Sequence, residues 1–391
     1  MASLLLAIIY LAFISLGLPD SLLGAAWPVI QTQMDLPMSA MGLLSFIICG
    51  GTVISSLLSE RISRVLKTQW VVIISTFLVA GAMIGFSFSS TFWMLILFSI
   101  PYGLGSGAID ASLNNYVTNH YSAKHLTWLH AFWGVGTIVS PFIMSYAISK
   151  RTWESGYRIV GYIQLGLAII IFASIFLWKN TKHEQENIEQ ERLTPKEKLK
   201  IKGIFFVLIA FFAYCSCESI MMSWASTYFV KYQALSEDLA AALASLWFIG
   251  LTVSRIIFGF LTEKLSDKTL IRIGYTIMVI SVILMTLAFI NVYFAIVGFL
   301  LFGFGCGPIY PSIIHSAPND FGPSKSASVI GLEMASAYIG ATFTPPLFGL
   351  FTQYTDIKYL PFALITLLGL FIIMIEILNF KVNKRNATAI E

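Results

Sequence analysis

The chain has 391 residues, of which 57% are hydrophobic and only 11% charged, with a net charge of +4 and a mean hydropathy of +0.80. Soluble domains run at about 45–50% apolar and about 25% charged residues, so the composition argues against a soluble enzyme or a nucleic-acid binder. The small positive excess reads as a matter of membrane topology rather than of a basic ligand.

A membrane helix takes about 20 apolar residues. Apolar runs broken by charge or turn residues predict twelve spans, at roughly 3–30, 38–59, 69–88, 92–117, 126–149, 157–178, 203–230, 238–261, 268–290, 292–316, 325–352 and 358–380. The expected fold class is therefore an all-α polytopic membrane protein. The first run starts without a basic leader and is too long for the core of a signal peptide, so it reads as a span. Residues 179–202 hold seven Lys/Arg and five Glu and read as a solvated linker. It divides the chain into six-span halves, 1–178 and 203–391. Cys49, Cys215, Cys217 and Cys306 all lie in apolar runs. The spacing of Cys215 and Cys217 fits neither a redox nor a zinc motif, so all four read as small buried thiols.

With the N-terminus inside, 18 of the 24 Lys and Arg residues fall in or beside inside segments and five in or beside outside loops, and Arg255, inside a span, completes the total. The 5–6 loop, with Lys150, Arg151 and Arg158, is the one local exception. Positive charge stays cytoplasmic. The expectation is a multi-pass protein of the cell (inner) membrane with both termini cytoplasmic.

The two halves read as copies. Span four carries Gly103, Gly105, Gly107, Ile109 and Ser112; span ten carries Gly303, Gly305, Gly307, Ile309 and Ser312, an offset of 200. Glu60 and Arg61 after span two match Glu263 and Lys264 after span eight, at an offset of 203. Gly136 and Pro141 in span five match Gly340 and Pro345 in span eleven, at 204. The stretch from Asp20 to Leu23 resembles that from Glu218 to Met221, and each is followed by a tryptophan, Trp27 and Trp224.

Two six-span halves in parallel orientation are the plan of the major facilitator superfamily, which the sequence resembles over essentially its whole length. The family's loop between spans two and three reads roughly Gly-x-x-x-Asp-Arg-x-Gly-Arg-Arg. Here Glu60, Arg61 and Arg64 keep the acid and basic positions, while Ser56 and Ser63 replace the glycines; the second copy keeps Gly259. Within the superfamily, Asp20 late in span one and the glycine-rich span four with Asp110, Asn114 and Asn115 are similar to the fucose-permease branch of bacterial sugar–proton symporters. That resemblance implies a proton role for Asp20, and a sugar or proton role for Asp110.

A charge left in hydrocarbon costs about 2.5–3.5 kcal/mol on insertion scales. Charged residues inside spans should therefore face a cavity, pair up or carry function. From a rise of about 1.5 Å per residue, Asp20 stands about 26 Å up span one, in the outer half, and Glu218 near the middle of span seven. Asp110, His130 and Glu333 fall in the inner half. On these depths Asp20 and Asp110 should not touch, whereas Asp110 lies level with His130, and Arg255 with Glu333. Gly103, Gly107, Asp110 and Asn114 share one helical stripe, as do Asp20 and Trp27, and His130 and Trp133. An acid in a dry site can take up and release a proton near neutral pH, which points to Asp20 and Glu218 as proton-coupling residues. Sugar sites combine hydrogen-bonding groups with aromatic faces, which points to Asp110, Asn114, His130, Trp27, Trp133, Trp224 and Tyr310 as substrate-binding residues. Glu60, Arg61, Arg64, Arg255, Glu263, Lys264 and Glu333 are placed to gate. His315 and Glu376 read as structural or interfacial.

No zinc-protease, nucleophile-elbow or phosphate-loop motif is found, and Gly103 to Gly107 lies inside a span, so it reads as packing rather than dinucleotide binding. The leading expectation is a secondary transporter in which the halves rock about a midplane site. It would carry a small polar solute, a sugar first, with a proton gradient as the energy source and no cofactor. The alternative is a proton-driven exporter of drugs or metabolites, which the acids and the many Met and Phe residues would also suit. A channel lacks a filter motif here, and an intramembrane enzyme lacks a nucleophile–base pair. The expected partners are the small-molecule substrate and the bilayer, with no nucleic acid, and a monomer as the working form.

Overall fold

The computed structural model describes residues 2–121, 123–178, 197 and 199–388. They form helices joined by short turns, with no strand among the described residues. In chain order the helices are α1 (Ala2–Asp20), α2 (Leu22–Gln33), α3 (Ala40–Leu66), α4 (Thr68–Phe86), α5 (Phe92–His120), α6 (Ala123–Lys150) and α7 (Trp153–Ala173). After the linker come α8 (Ile204–Lys231), α9 (Glu237–Leu261), α10 (Asp267–Thr286), α11 (Val292–Cys306), α12 (Ile309–Phe321), α13 (Pro323–Tyr354) and α14 (Leu360–Thr388). Eleven of the twelve expected spans are long and apolar enough to cross a membrane; the expected span 325–352 is the long helix α13. Most of the linker expected at 179–202 lies outside the described residues.

Two expected spans are broken. The first divides at Ser21 into α1 and α2, and the tenth divides at Gly307 and Pro308 into α11 and α12. Span four, the copy of span ten, has Ala108 where span ten has Pro308, and α5 runs through unbroken. Proline lacks an N–H and its ring crowds the carbonyl four residues back. In hydrocarbon that carbonyl needs another donor. Three such carbonyls are met by side chains from other helices. Pro19 frees the Ser15 carbonyl, which accepts from the Gln164 amide of α7, while the Ser15 hydroxyl donates to the same amide's oxygen. Pro141 frees Thr137, whose carbonyl accepts from Ser21 Oγ at 2.9 Å. Pro308 frees Phe304, whose carbonyl accepts from Ser254 Oγ of α9.

Contacts divide the chain into two compact units. One comprises Met1–Lys182, Met222–Ile249 and Pro345–Ile357; the other His183–Met221, Gly250–Thr344 and Lys358–Glu391. In the first, α1 and α6 cross backbone to backbone. A Cβ on Gly17 would stand 2.1 Å from the Trp133 carbonyl oxygen, and one on Gly136 would stand 2.4 Å from that of Ile14. In the second, Gly340 of α13, the copy of Gly136, lies as closely against the Phe212 carbonyl of α8. The repeat in sequence is thus a repeat in packing, of the small-residue kind that membrane helices use. Gly103 and Gly107 of α5 likewise stand against the backbone of α3 at Ile48 and Thr52. The four cysteines are free; Cys215, Cys217 and Cys306 are buried as expected, whereas Cys49 is only half-buried.

Candidate functional site

Asp20 is three residues beyond Gly17 on α1, and Trp133 three residues before Gly136 on α6. Each is thus about one turn from the glycine crossing. The close approach brings the Trp133 indole to the carboxylate: Nε1 donates to Asp20 Oδ2 at 2.8 Å. Tyr102 of α5 donates its hydroxyl to Asp20 Oδ1, also at 2.8 Å. An acid at the last residue of a helix faces the unfavourable end of the helix dipole; two donors, each to a charged acceptor, offset this. Tyr102 is buried, whereas Asp20 and Trp133 are half-buried, so the carboxylate is held in place yet reachable. Trp133 also turns its ring edge-on to Phe248, and Trp247 packs on Phe248 in the same manner.

Asp110 accepts from Asn114 Nδ2, one turn further along α5, at 2.9 Å. The expected partner, His130, instead sets its ring edge-on to Phe13, with centroids 5.7 Å apart. Depth along a helix gives the level of a side chain but not the direction in which it points, and His130 points to α1. Asp20 and Asp110, held apart by the depth estimate, share no hydrogen bond, yet the charge of Asp20 reaches Asp110.

Two expected substrate residues are core residues in this structure. Trp27 is fully buried: the break at Ser21 interrupts the stripe it would share with Asp20. Trp224 is fully buried as well, with its N–H donating to the Pro345 carbonyl at 3.3 Å and its ring edge-on to Phe348. Tyr310 packs on Phe211 and directs its hydroxyl to Met334 Sδ at 2.9 Å.

In the second unit, Glu218 of α8 lies 2.7 Å from the hydroxyl of Tyr214, which also reaches the Cys306 carbonyl at 2.8 Å. Arg255 of α9 acts electrostatically on Glu218. Glu218 thus feels a cation that the sequence did not assign to it, while Glu333, expected level with Arg255, has no hydrogen bond to it. Glu333 is fully buried, and neither carboxyl oxygen has a hydrogen-bond partner. Glu263 and Lys264 are exposed in the turn after α9. Glu60, Arg61 and Arg64 belong to α3, but their side chains lie outside the described residues. His315 pairs with Asp267, and Glu376 takes a two-point ion pair from Arg272, Nε to Oε1 at 2.9 Å and Nη2 to Oε2 at 2.6 Å, as structural and interfacial readings require.

Sequence reasoning did not find Tyr102, Tyr214 or Gln164. Tyr214 precedes Glu218 by four residues, a spacing that sets two side chains on one face, and this signal was present. Tyr102 and Gln164 are distant in sequence from their partners and left none.

A family model described as Major Facilitator Superfamily matches residues 9–242 and 206–390. The chain is 22% identical to Bypass of stop codon protein 6 of Saccharomyces cerevisiae, over 92% of this chain and 79% of the yeast protein. It is 26% identical to the Hexuronate transporter of Bacillus subtilis, over 66% of this chain and 65% of that protein. Its fold resembles the crystal structure of the nucleoside transporter NupG, with a TM-score of 0.76 at 12% identity, over 95% of this chain and 98% of the other. At that identity the likeness is one of fold. The family matched is one of membrane transporters, not of enzymes.

Proposed function

We propose that this chain, which belongs to the Major Facilitator Superfamily and is a multi-pass secondary transporter, carries a sugar or sugar-like polar solute coupled to protons. The observation that supports this most is the Asp20 cluster. A reachable carboxylate, held by a phenol and an indole N–H inside an otherwise apolar set of helices, offers what a polyhydroxylated solute needs. Its hydroxyls can donate to the carboxylate, and its apolar ring face can lie on the Trp133 indole. Asp110 and Asn114 add a second acceptor and an amide on the same helix as Tyr102. The relative named for hexuronate fits this class of solute. In the second unit, Glu218 feels the positive charge of Arg255.

On this reading the functional halves are 1–178 and 203–391, the working form is a monomer in the inner membrane, and both termini are cytoplasmic. No cofactor enters; the proton gradient supplies the energy. The test is uptake of radiolabelled glucose and glucuronate into liposomes holding the purified protein, with and without an imposed pH gradient. Accumulation that appears only with the gradient, and is lost in Asp20→Asn, is the expected result. Absence of sugar uptake, together with gradient-driven movement of a cationic dye, would replace it with the exporter reading.

A further inference from the structure

Most acids inside the described helices have donors. Asp20 accepts from Tyr102 and Trp133, Asp110 from Asn114, Glu218 from Tyr214, and Glu376 from Arg272 and Tyr275. Glu333 of α13 stands apart. It is fully buried, and both carboxyl oxygens lack any hydrogen-bond partner. The one charge that acts on it among the described residues is that of Asp320, a buried carboxyl at the end of α12.

Several ionisable groups on the helices that meet α13 have other partners. Helix α8 meets α13 through the Leu208 carbonyl, which accepts from Ser336, and through Ser216, which bonds Thr344; its Tyr214 and Glu218 are joined to each other. On α12, Tyr310 turns to Met334 and His315 to Asp267. An ionised carboxylate with no protein donor and no cation beside it is far costlier to bury than the neutral acid, and a like charge at Asp320 opposes a second one beside it.

We propose that Glu333 is the proton-carrying carboxyl of this transporter, neutral in the buried setting seen here and ionised when α13 opens it to water. One proton from water forms an O–H bond to a carboxylate oxygen, taking the side chain from −1 to neutral; release reverses this, and no electrons move. The change of charge decides whether α13 can close over the residue, which ties the conformational cycle to the proton. The coupling half of this proposal rests on the transport reading above; the protonation half does not.

Infrared spectroscopy of the purified protein in lipid separates the two. The wild type should show the carbonyl band of a neutral, unbonded carboxylic acid at neutral pH. Glu333→Gln should remove it, while Glu333→Asp and Asp20→Asn keep it. Because glutamine copies the shape of the neutral acid, Glu333→Gln should melt near the wild-type temperature. A band unmoved by Glu333→Gln overturns the proposal. In liposomes the same variant should retain exchange of labelled glucose or glucuronate but lose gradient-driven accumulation. If the band disappears and accumulation survives, Glu333 is protonated but does not couple, and the proposal fails while the transport reading stands. If the wild type moves neither solute, the transport reading fails and the infrared result alone decides whether Glu333 holds the proton.

Discussion

The Ser21 hydroxyl donates to the main-chain carbonyl of Thr137 at 2.9 Å, the carbonyl that Pro141 deprives of its helical partner. Ser21 is itself the residue at which the first span breaks. The break in one helix thus supplies the donor that the proline in another requires. At Phe304 the roles differ: the proline itself breaks the tenth span, and the donor, Ser254, lies in the unbroken α9.

Ser21→Ala removes the donor and leaves the Thr137 carbonyl open in a buried site. The expected loss is about 1 kcal/mol, with measured averages for such bonds in membrane proteins nearer about 0.6. In a Pro141→Ala background the carbonyl regains a helical N–H, so the same Ser21→Ala change should cost little. A double-mutant cycle of thermal or denaturant stability in detergent checks this; equal costs in both backgrounds would show that Ser21 acts by some other contact.

Gly136→Ala should be strongly destabilising, because its Cβ would press on the Ile14 carbonyl, a backbone atom that cannot turn aside. Overpacking of this kind costs about 1–3 kcal/mol. Gly50→Ala is the control, since a Cβ there meets nothing within 4 Å. The yield of monodisperse protein and its melting temperature should fall for the first and hold for the second.

Tyr102→Phe and Trp133→Phe each remove one hydrogen bond to the Asp20 carboxylate. Bonds to a charged group contribute about 1.5–3 kcal/mol, so both variants should disturb the cluster measurably. In an Asp20→Asn background, where no charge remains to be held, the two changes should lose most of their effect. Solute exchange rates and melting temperatures across the six proteins test this. Additive losses would mean that Tyr102 and Trp133 act independently of Asp20.

The spans were legible because hydrocarbon demands long apolar runs, and that demand is written residue by residue. Cys215, Cys217 and Cys306 were legible as buried for the same reason. The repeat was legible because helix crossings need glycine at fixed positions, as Gly136 and Gly340 show. Pairings were legible only in part. Trp133 stood out as an aromatic on a polar stripe, but its bond to Asp20 depends on which way two helices turn at their crossing. Depth alone set Arg255 level with Glu333, whereas its charge acts on Glu218. Tyr102 was invisible because a tyrosine among apolar residues carries no pattern of its own, and its role comes wholly from tertiary geometry.

The carbonyls freed by proline also impose an order on synthesis. The Thr137 carbonyl finds its donor 116 residues earlier in the chain, and that of Phe304 finds one 50 residues earlier. Each is met by a helix already made. The Ser15 carbonyl is the reverse: its donor, Gln164, emerges 149 residues later. Between those moments the nascent first span carries an open carbonyl, which hydrocarbon cannot satisfy. Its final seat in the bilayer must therefore await the sixth span, and a ribosome stalled between Ser15 and Gln164 would hold the opening helix in water or against the insertion machinery.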